Sequence, residues 1–197
     1  MDLRKTYNSI GKEFSATRYK RWPCVDRFFS NYVFPNDYIL DAGCGNGKNM
    51  SFQNVFEGSD ITDSFLEIAA KKNASLTQSS VQNLPYRSNV FDIVISVAVV
   101  HHLDTLYLRK KAVHELVRCV KENGYVLITN WAFENNKFDT QDSFIPFKNC
   151  KGEILANRYY HLFTEDEMPE LVKNTSCNIV DYYNEHNNWI IVLQKTK

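Results

Sequence analysis

The chain has 197 residues, and its 23 Lys and Arg are balanced by 23 Asp and Glu, for a formal net charge of +0. No global field draws it to nucleic acid or membrane, so a polyanion has to find a local patch. The five cysteines, Cys24, Cys44, Cys119, Cys150 and Cys177, are odd in number and form no C-x-x-C pair, which speaks against a disulfide framework or a zinc site and for reduced thiols in the cytoplasm. The N-terminus has no apolar leader core, and no apolar run is long enough to span a bilayer. The length suits one domain, residues 1–197, with its own core.

Residues 1–36 read as a helical extension. They carry Arg4, Lys5, Lys12, Arg18, Lys20, Arg21 and Arg27 against Asp2, Glu13 and Asp26, interleaved with Tyr7, Phe14, Tyr19 and Trp22. A solvated helix face and a polyanion- or substrate-binding patch fit this pattern equally. Tyr38–Asp41 is a short buried strand that runs into Gly43-Cys44-Gly45-Asn46-Gly47, and Val55–Asp60 is a second strand ending in an acid. Thr62 or Asp63 caps a helix bearing Phe65, Leu66, Ile68 and Ala69, ahead of a weak strand near Leu76. Phe91–Val97 is β-branched and apolar, as at the centre of a parallel sheet.

Beyond His101 and His102 a helix is expected at Leu106–Val120, then a strand at Tyr125–Thr129. Residues 133–157 show no period and read as an irregular insertion. Thr164-Glu165-Asp166-Glu167 has capping-box spacing ahead of a last helix. Ile179–Tyr183 and Trp189–Leu193 form a closing hairpin. The alternation predicts an α/β, Rossmann-like domain: a seven-stranded, mostly parallel sheet with a C-terminal antiparallel hairpin.

The glycine loop carries the first chemical signal. A strand, then Asp41-Ala42-Gly43-Cys44-Gly45-Asn46-Gly47, then Asp60 at the end of the next strand is the layout that lets a nucleoside approach backbone while an acid accepts from its ribose. An acid immediately before the glycines repels phosphate and suits an ammonium, which favours S-adenosylmethionine over a dinucleotide. The stretch resembles the first motif of class I S-adenosylmethionine-dependent methyltransferases. The resemblance places Asp41, Gly43, Cys44, Gly45, Asp60, Ser80, Val81 and Ala98 around the cofactor. Where that family often has an acid near the adenine, this chain has Ser79-Ser80-Val81-Gln82, so Ser80 or Gln82 stands in for it.

Further stretches narrow the field: Tyr7-Asn8-Ser9-Ile10, Thr17-Arg18-Tyr19-Lys20-Arg21-Trp22-Pro23, Val99-Val100-His101-His102, Asn130-Trp131-Ala132, and Arg158-Tyr159-Tyr160-His161-Leu162 with Asn188-Trp189. Together they resemble the eukaryotic tRNA methyltransferases that esterify the carboxymethyl group of the wobble uridine, a family that includes the methyltransferase domain of the animal AlkB-homologue tRNA hydroxylase. The resemblance implies methyl transfer to 5-carboxymethyluridine in the tRNA anticodon stem-loop, giving 5-methoxycarbonylmethyluridine. It also implies a heterodimer with a small zinc-binding activator subunit.

A carboxylate with an ordinary pKa near 4 is already ionised at neutral pH, so its attack on a sulfonium methyl needs positioning rather than a general base. Arg18 and Arg158 suit planar carboxylate recognition. His101 and His102 point different ways at a strand end and make a poor chelate for one metal. One of them, with His101 favoured, is expected to donate a hydrogen bond to the substrate while the other is structural. His161 joins Arg18, His101 and Arg158 as a catalytic candidate, and no residue is assigned to a metal. Trp131 suits stacking on an everted base; Tyr19, Trp22, Tyr159 and Trp189 suit either that surface or the core. The rival readings are a small-molecule methyltransferase acting on a carboxylate or quinone precursor, which has no need of a basic, aromatic N-terminus, and a scaffold without catalysis, which has no need of the intact Asp41–Gly47 loop.

Overall fold

The computed structural model describes residues 2–50, 54–72, 74–134 and 137–197. Two helices open the chain, α1 (Leu3–Ala16) and α2 (Pro23–Tyr32), the second with its proline in the first turn, where a missing N–H costs nothing. Then come β1 (Tyr38–Ala42), β2 (Val55–Asp60), α3 (Asp63–Ala69), β3 (Ser75–Gln78), β4 (Phe91–Val97), α4 (Leu106–Cys119) and β5 (Val120–Trp131). The rest comprises β6 (Asp142–Lys148), β7 (Ile154–His161), α5 (Glu167–Val172), β8 (Cys177–Glu185) and β9 (Asn188–Lys195).

Seven strands form one sheet in the order β3-β2-β1-β4-β5-β9-β8. The first five are parallel, and β9 and β8 are antiparallel. This is the architecture that the alternation of strands and helices predicts. Core lies on both faces because β4 is apolar throughout: Phe91 and Val94 pack on the α4 side, Ile93, Ile95 and Val97 on the α2 side.

Two local expectations change. Residues 133–157, expected to be irregular, contain β6 and the start of β7, which pair as a separate two-stranded antiparallel ribbon. The alternation in β6 is real, with Ile145 and Phe147 buried. It is masked because Phe144 faces outward and Pro146 interrupts the run, and both features hide a strand from pattern reading. At α5 only the reciprocal half of the capping box forms: Glu167 Oε2 accepts the Thr164 N–H at 2.8 Å, while Asp166 occupies the N-cap position.

The strand order reverses direction between β1 and β4, and in open α/β sheets ligands bind at the carboxyl ends of the strands beside such a point. The glycine loop after β1, Asp60 at the end of β2, the single 3₁₀ turn Val100–His102 after β4, and Trp131 at the end of β5 all converge there. Helix α1 closes over them, packing Tyr7 and Ile10 on Phe65 of α3 and Phe147 of β6.

Candidate active site

A cavity of about 220 Å³ occupies this convergence. One half of it is backbone. Gly43 lies at φ +82°, and a Cβ there would sit 2.3 Å from Val99 Cγ2, so the loop can approach the turn after β4 only with glycine. Gly45, at φ +53°, has nothing within 4 Å of its missing Cβ and faces open space. Asp60 Oδ2 accepts the Gly45 N–H at 2.9 Å and its Oδ1 accepts the Thr62 N–H at 2.9 Å, which ties the loop to the end of β2. Burial raises the Asp60 pKa, and the backbone donors of Gly45 and Thr62 oppose that rise.

Beneath the loop Asp41 is completely buried. Its Oδ2 accepts from Asn49 Nδ2 at 3.3 Å, while Oδ1 has no partner. Burial pushes this carboxyl up to about 7, with Lys48 acting in the other direction. A buried carboxylate lacking a partner on one oxygen is costly unless a cation or donor approaches. The ammonium of an amino-acid group over the loop is such a cation. The open space at Gly45, the orphaned Asp41 oxygen and the Asp60 carboxylate thus fit S-adenosylmethionine. Gly43, Cys44, Gly45, Asp60, Ser80, Val81 and Ala98 line this half, and Asp41 lies behind its wall rather than in it. Ser80 Oγ donates to Gln82 Oε1 at 2.5 Å, and of these two candidates Ser80 is the one in the cavity wall. Ala98 has φ +61°, a strained conformation for a residue with a Cβ, held by its N–H donating to Thr129 O at 3.0 Å.

The other half is made of side chains from distant segments. His101, 1% exposed, accepts the Trp131 N–H at Nδ1, 3.2 Å away. The proton therefore sits on Nε2, which has no partner. His102 is saturated: its Nδ1–H donates to Tyr159 O and its Nε2 accepts from the Tyr7 hydroxyl, both at 2.9 Å. Burial lowers both, His101 well below 6.5 and His102 to about 4, so both imidazoles are neutral at physiological pH. One histidine holds an unused donor at the cavity; the other braces α1 against β7.

Strand alternation decides what β7 contributes. Tyr160 lines the cavity and stacks on His101, with ring centroids 4.7 Å apart. Its hydroxyl accepts from Arg158 Nη1 at 2.9 Å. Arg158 is 4% exposed, is embedded among Phe14, Phe147 and Tyr160, and forms no ion pair among the described residues. It stands behind Tyr160 rather than in the cavity wall, and its charge makes the tyrosine a stronger donor. Tyr159 and His161 project the opposite way, to Asp142, and His161 Nε2 also meets Glu167 at 3.3 Å. Neither lines the cavity.

Arg18, Trp22 and Trp131 line it. Arg18 donates to Thr17 Oγ1 at 2.7 Å and lies over the Phe14 ring. Tyr19 is 72% exposed and outside the cavity, and Trp189 is buried in the core, stacked on Tyr182 with Nε1 donating to Glu134. Sequence reasoning passed over Tyr160, which follows from Arg158 by the two-residue period of a strand. It also passed over Leu3, Tyr7 and Phe14 as cavity lining, although with Ile10 they mark one face of a helix.

Residues 40–128 match the family model of a methyltransferase domain. The tRNA (carboxymethyluridine(34)-5-O)-methyltransferase of Schizosaccharomyces pombe is 30% identical over 98% of this chain and 96% of that protein. The chain belongs to this family. An Arabidopsis thaliana member is 43% identical over 67% of this chain, which spans about a third, 33%, of that longer protein. Among solved structures, one of an S-adenosylmethionine-bound amino pentose methyltransferase from Micromonospora echinaspora shares the fold, with a TM-score of 0.72 at 16% identity over 95% of this chain and 97% of that one. A second, from the complex between the Haloferax volcanii Trm112 methyltransferase activator and a putative methyltransferase, has a TM-score of 0.78 at 11% identity over 100% and 98% of the two chains. As a member of the carboxymethyluridine methyltransferase family, the chain is an S-adenosylmethionine-dependent enzyme.

Proposed function

We propose that the chain esterifies the carboxylate of 5-carboxymethyluridine at the wobble position of tRNA, yielding 5-methoxycarbonylmethyluridine. The observation that carries this reading is the unpartnered Nε2–H of a neutral His101, set beside Tyr160 and Trp131 in the cavity that begins at the glycine loop. S-adenosylmethionine, when bound, supplies an electrophilic methyl on a sulfonium; the new bond is from a carboxylate oxygen to that carbon, and the bond to sulfur breaks. Asp41, the glycine loop and Asp60 hold and orient the cofactor. His101 and Tyr160 hold the carboxylate by hydrogen bonds, and Arg18 and Arg158 provide positive charge nearby. Donors of this kind orient the nucleophile without neutralising it as fully as a direct ion pair, and α1 keeps water out. Trp22 and Trp131 provide the aromatic surface for a base removed from its stack.

The basic, aromatic N-terminal extension supplies tRNA contacts in this reading, and the enzyme works in the cytoplasm, in keeping with free thiols at Cys24, Cys44, Cys119, Cys150 and Cys177. The same reading includes a small zinc-binding activator subunit as partner. Support comes from the fold shared with the methyltransferase of a complex with the Trm112 methyltransferase activator, and from β3, a four-residue strand at the sheet edge. Mass spectrometry of tRNA nucleosides after loss of this protein is the test. Accumulated carboxymethyluridine is expected; an unchanged profile would overturn the assignment in favour of a small-molecule carboxylate.

A further inference from the structure

A second cavity, of about 470 Å³, adjoins the first and shares Trp22 and Trp131 with it. Its floor is a row across three strands. Trp131 of β5 pairs with Asn188 of β9, and Asn188 pairs with Glu185 of β8. Residues directly opposite one another in antiparallel pairs share a face of the sheet, so the indole, the amide and the carboxylate lie side by side.

Two acceptors in this row are unused. Asn188 Nδ2 donates to His186 O at 2.8 Å, which fixes the amide orientation, and Asn188 Oδ1 has no partner. Glu185 Oε2 accepts from Arg27, which compensates the carboxylate charge, and its Oε1 has no partner. A buried acceptor without a donor carries a desolvation penalty that a ligand donor relieves. The charged and amide side chains that line this cavity come from the one hairpin segment Glu185 to Asn188, and the wall it shares with the first cavity is two indoles. A flat heteroaromatic ring with an N–H donor, joined to a group with O–H donors, meets that description, and an aliphatic acid does not.

Resting on the tRNA reading, we infer that this second cavity receives the pyrimidine ring and ribose of the acceptor nucleotide. Asn188 Oδ1 takes the uracil N3–H and Glu185 Oε1 takes a ribose hydroxyl, while the carboxymethyl arm passes Trp131 toward His101 and Tyr160. Asn188 is then a specificity residue: cytosine, which has a lone pair at N3 instead of a hydrogen, places acceptor against acceptor.

The test uses the chain co-expressed with a Trm112-type activator and two otherwise identical anticodon stem-loop RNAs, one carrying 5-carboxymethyluridine and one 5-carboxymethylcytidine. Methyl transfer is followed by mass spectrometry, and binding by fluorescence anisotropy. The unaltered chain should prefer the uridine RNA by about tenfold or more in kcat/KM, a ratio equivalent to about 1.4 kcal/mol. Asn188→Ala should bring the two RNAs within about twofold, by lowering the uridine value and relieving the acceptor clash with the cytidine. The comparison in the unaltered chain needs no variant to fold: equal use of both RNAs overturns the inference, as does a ratio that survives Asn188→Ala in a protein with unchanged melting temperature. Failure to methylate either RNA by a complex that binds S-adenosylmethionine would instead sink the tRNA reading, and the inference with it.

Discussion

The two halves of the cavity are built by different means. The cofactor half consists of strand ends and a loop whose shape is dictated by backbone: Gly43 pressed on Val99, Gly45 open to the cavity, and Asp60 tying the loop to β2. The acceptor half consists of side chains brought from α1, the turn after β4, the end of β5, and β7, so that Tyr7, His102 and Tyr160 meet across most of the chain. A half made by backbone tolerates few substitutions and serves a cofactor common to many enzymes. A half made by side chains can be rebuilt for a new acceptor on the same frame, which is how one fold serves many substrates.

The largest effect is expected where the backbone half loses its anchor. Asp60→Ala removes the acceptor of the Gly45 and Thr62 N–H groups together with the proposed partner of the cofactor ribose. At about 1.5–3 kcal/mol for each charge-assisted hydrogen bond, calorimetry should show at least about a hundredfold loss of S-adenosylmethionine affinity. Unchanged affinity in a folded variant would mean that the cofactor lies elsewhere, and the contrast between the halves would fall with it.

A smaller effect should separate the two faces of β7. Tyr160→Phe removes the hydroxyl that Arg158 polarises beside His101. Turnover should drop about tenfold while cofactor affinity stays the same, in line with one lost hydrogen bond to a charged group. Tyr159→Phe alters a hydroxyl that faces Asp142, outside the cavity, and should leave turnover within about twofold. Equal losses from both variants would show that β7 acts through stability and not through its cavity face.

These residues also show what a sequence makes legible. The sheet, the glycine loop and Asp60 are local patterns: a strand, its loop and the following acid occupy a short stretch, and the backbone geometry repeats wherever the pattern does. The acceptor half depends on partners far apart in sequence. Nothing near His101 reveals that the Trp131 N–H occupies its Nδ1, or that Tyr7 and the Tyr159 carbonyl saturate His102. From sequence Trp189 suits either the substrate surface or the core, and strand alternation turns it to the core. Once β7 is known to be a strand the face of Tyr160 follows, but Phe144 and Pro146 conceal its partner β6, and with it the reason to expect a strand at all.

The smallest effect expected is the pH dependence of turnover, and its near-absence is what distinguishes positioning from base catalysis. Burial keeps His101 well below 6.5 and His102 at about 4, so neither changes charge between about pH 6 and 9. The substrate carboxylate, with an ordinary pKa near 4, is ionised throughout. At saturating cofactor and RNA, kcat should vary by less than about twofold over that interval. Asp41 behaves differently, because its carboxyl titrates at about 7 in the ligand-free chain. As pH rises from about 6 to 7.5 it gains the charge that attracts the cofactor ammonium, so S-adenosylmethionine affinity should strengthen while kcat stays level. For His102 the folded pKa lies below the unfolded one, so its contribution to stability is present above about 6.5 and is lost as pH falls toward 4, where the protonated ring can no longer accept from Tyr7. Rate and melting measurements should therefore diverge on the acid side, with stability declining before the substrate protonates. A tenfold rise of kcat per pH unit between 6 and 8 would require a general base, and would make the unpartnered Nε2 of His101 a proton acceptor instead of the donor its bond to Trp131 implies.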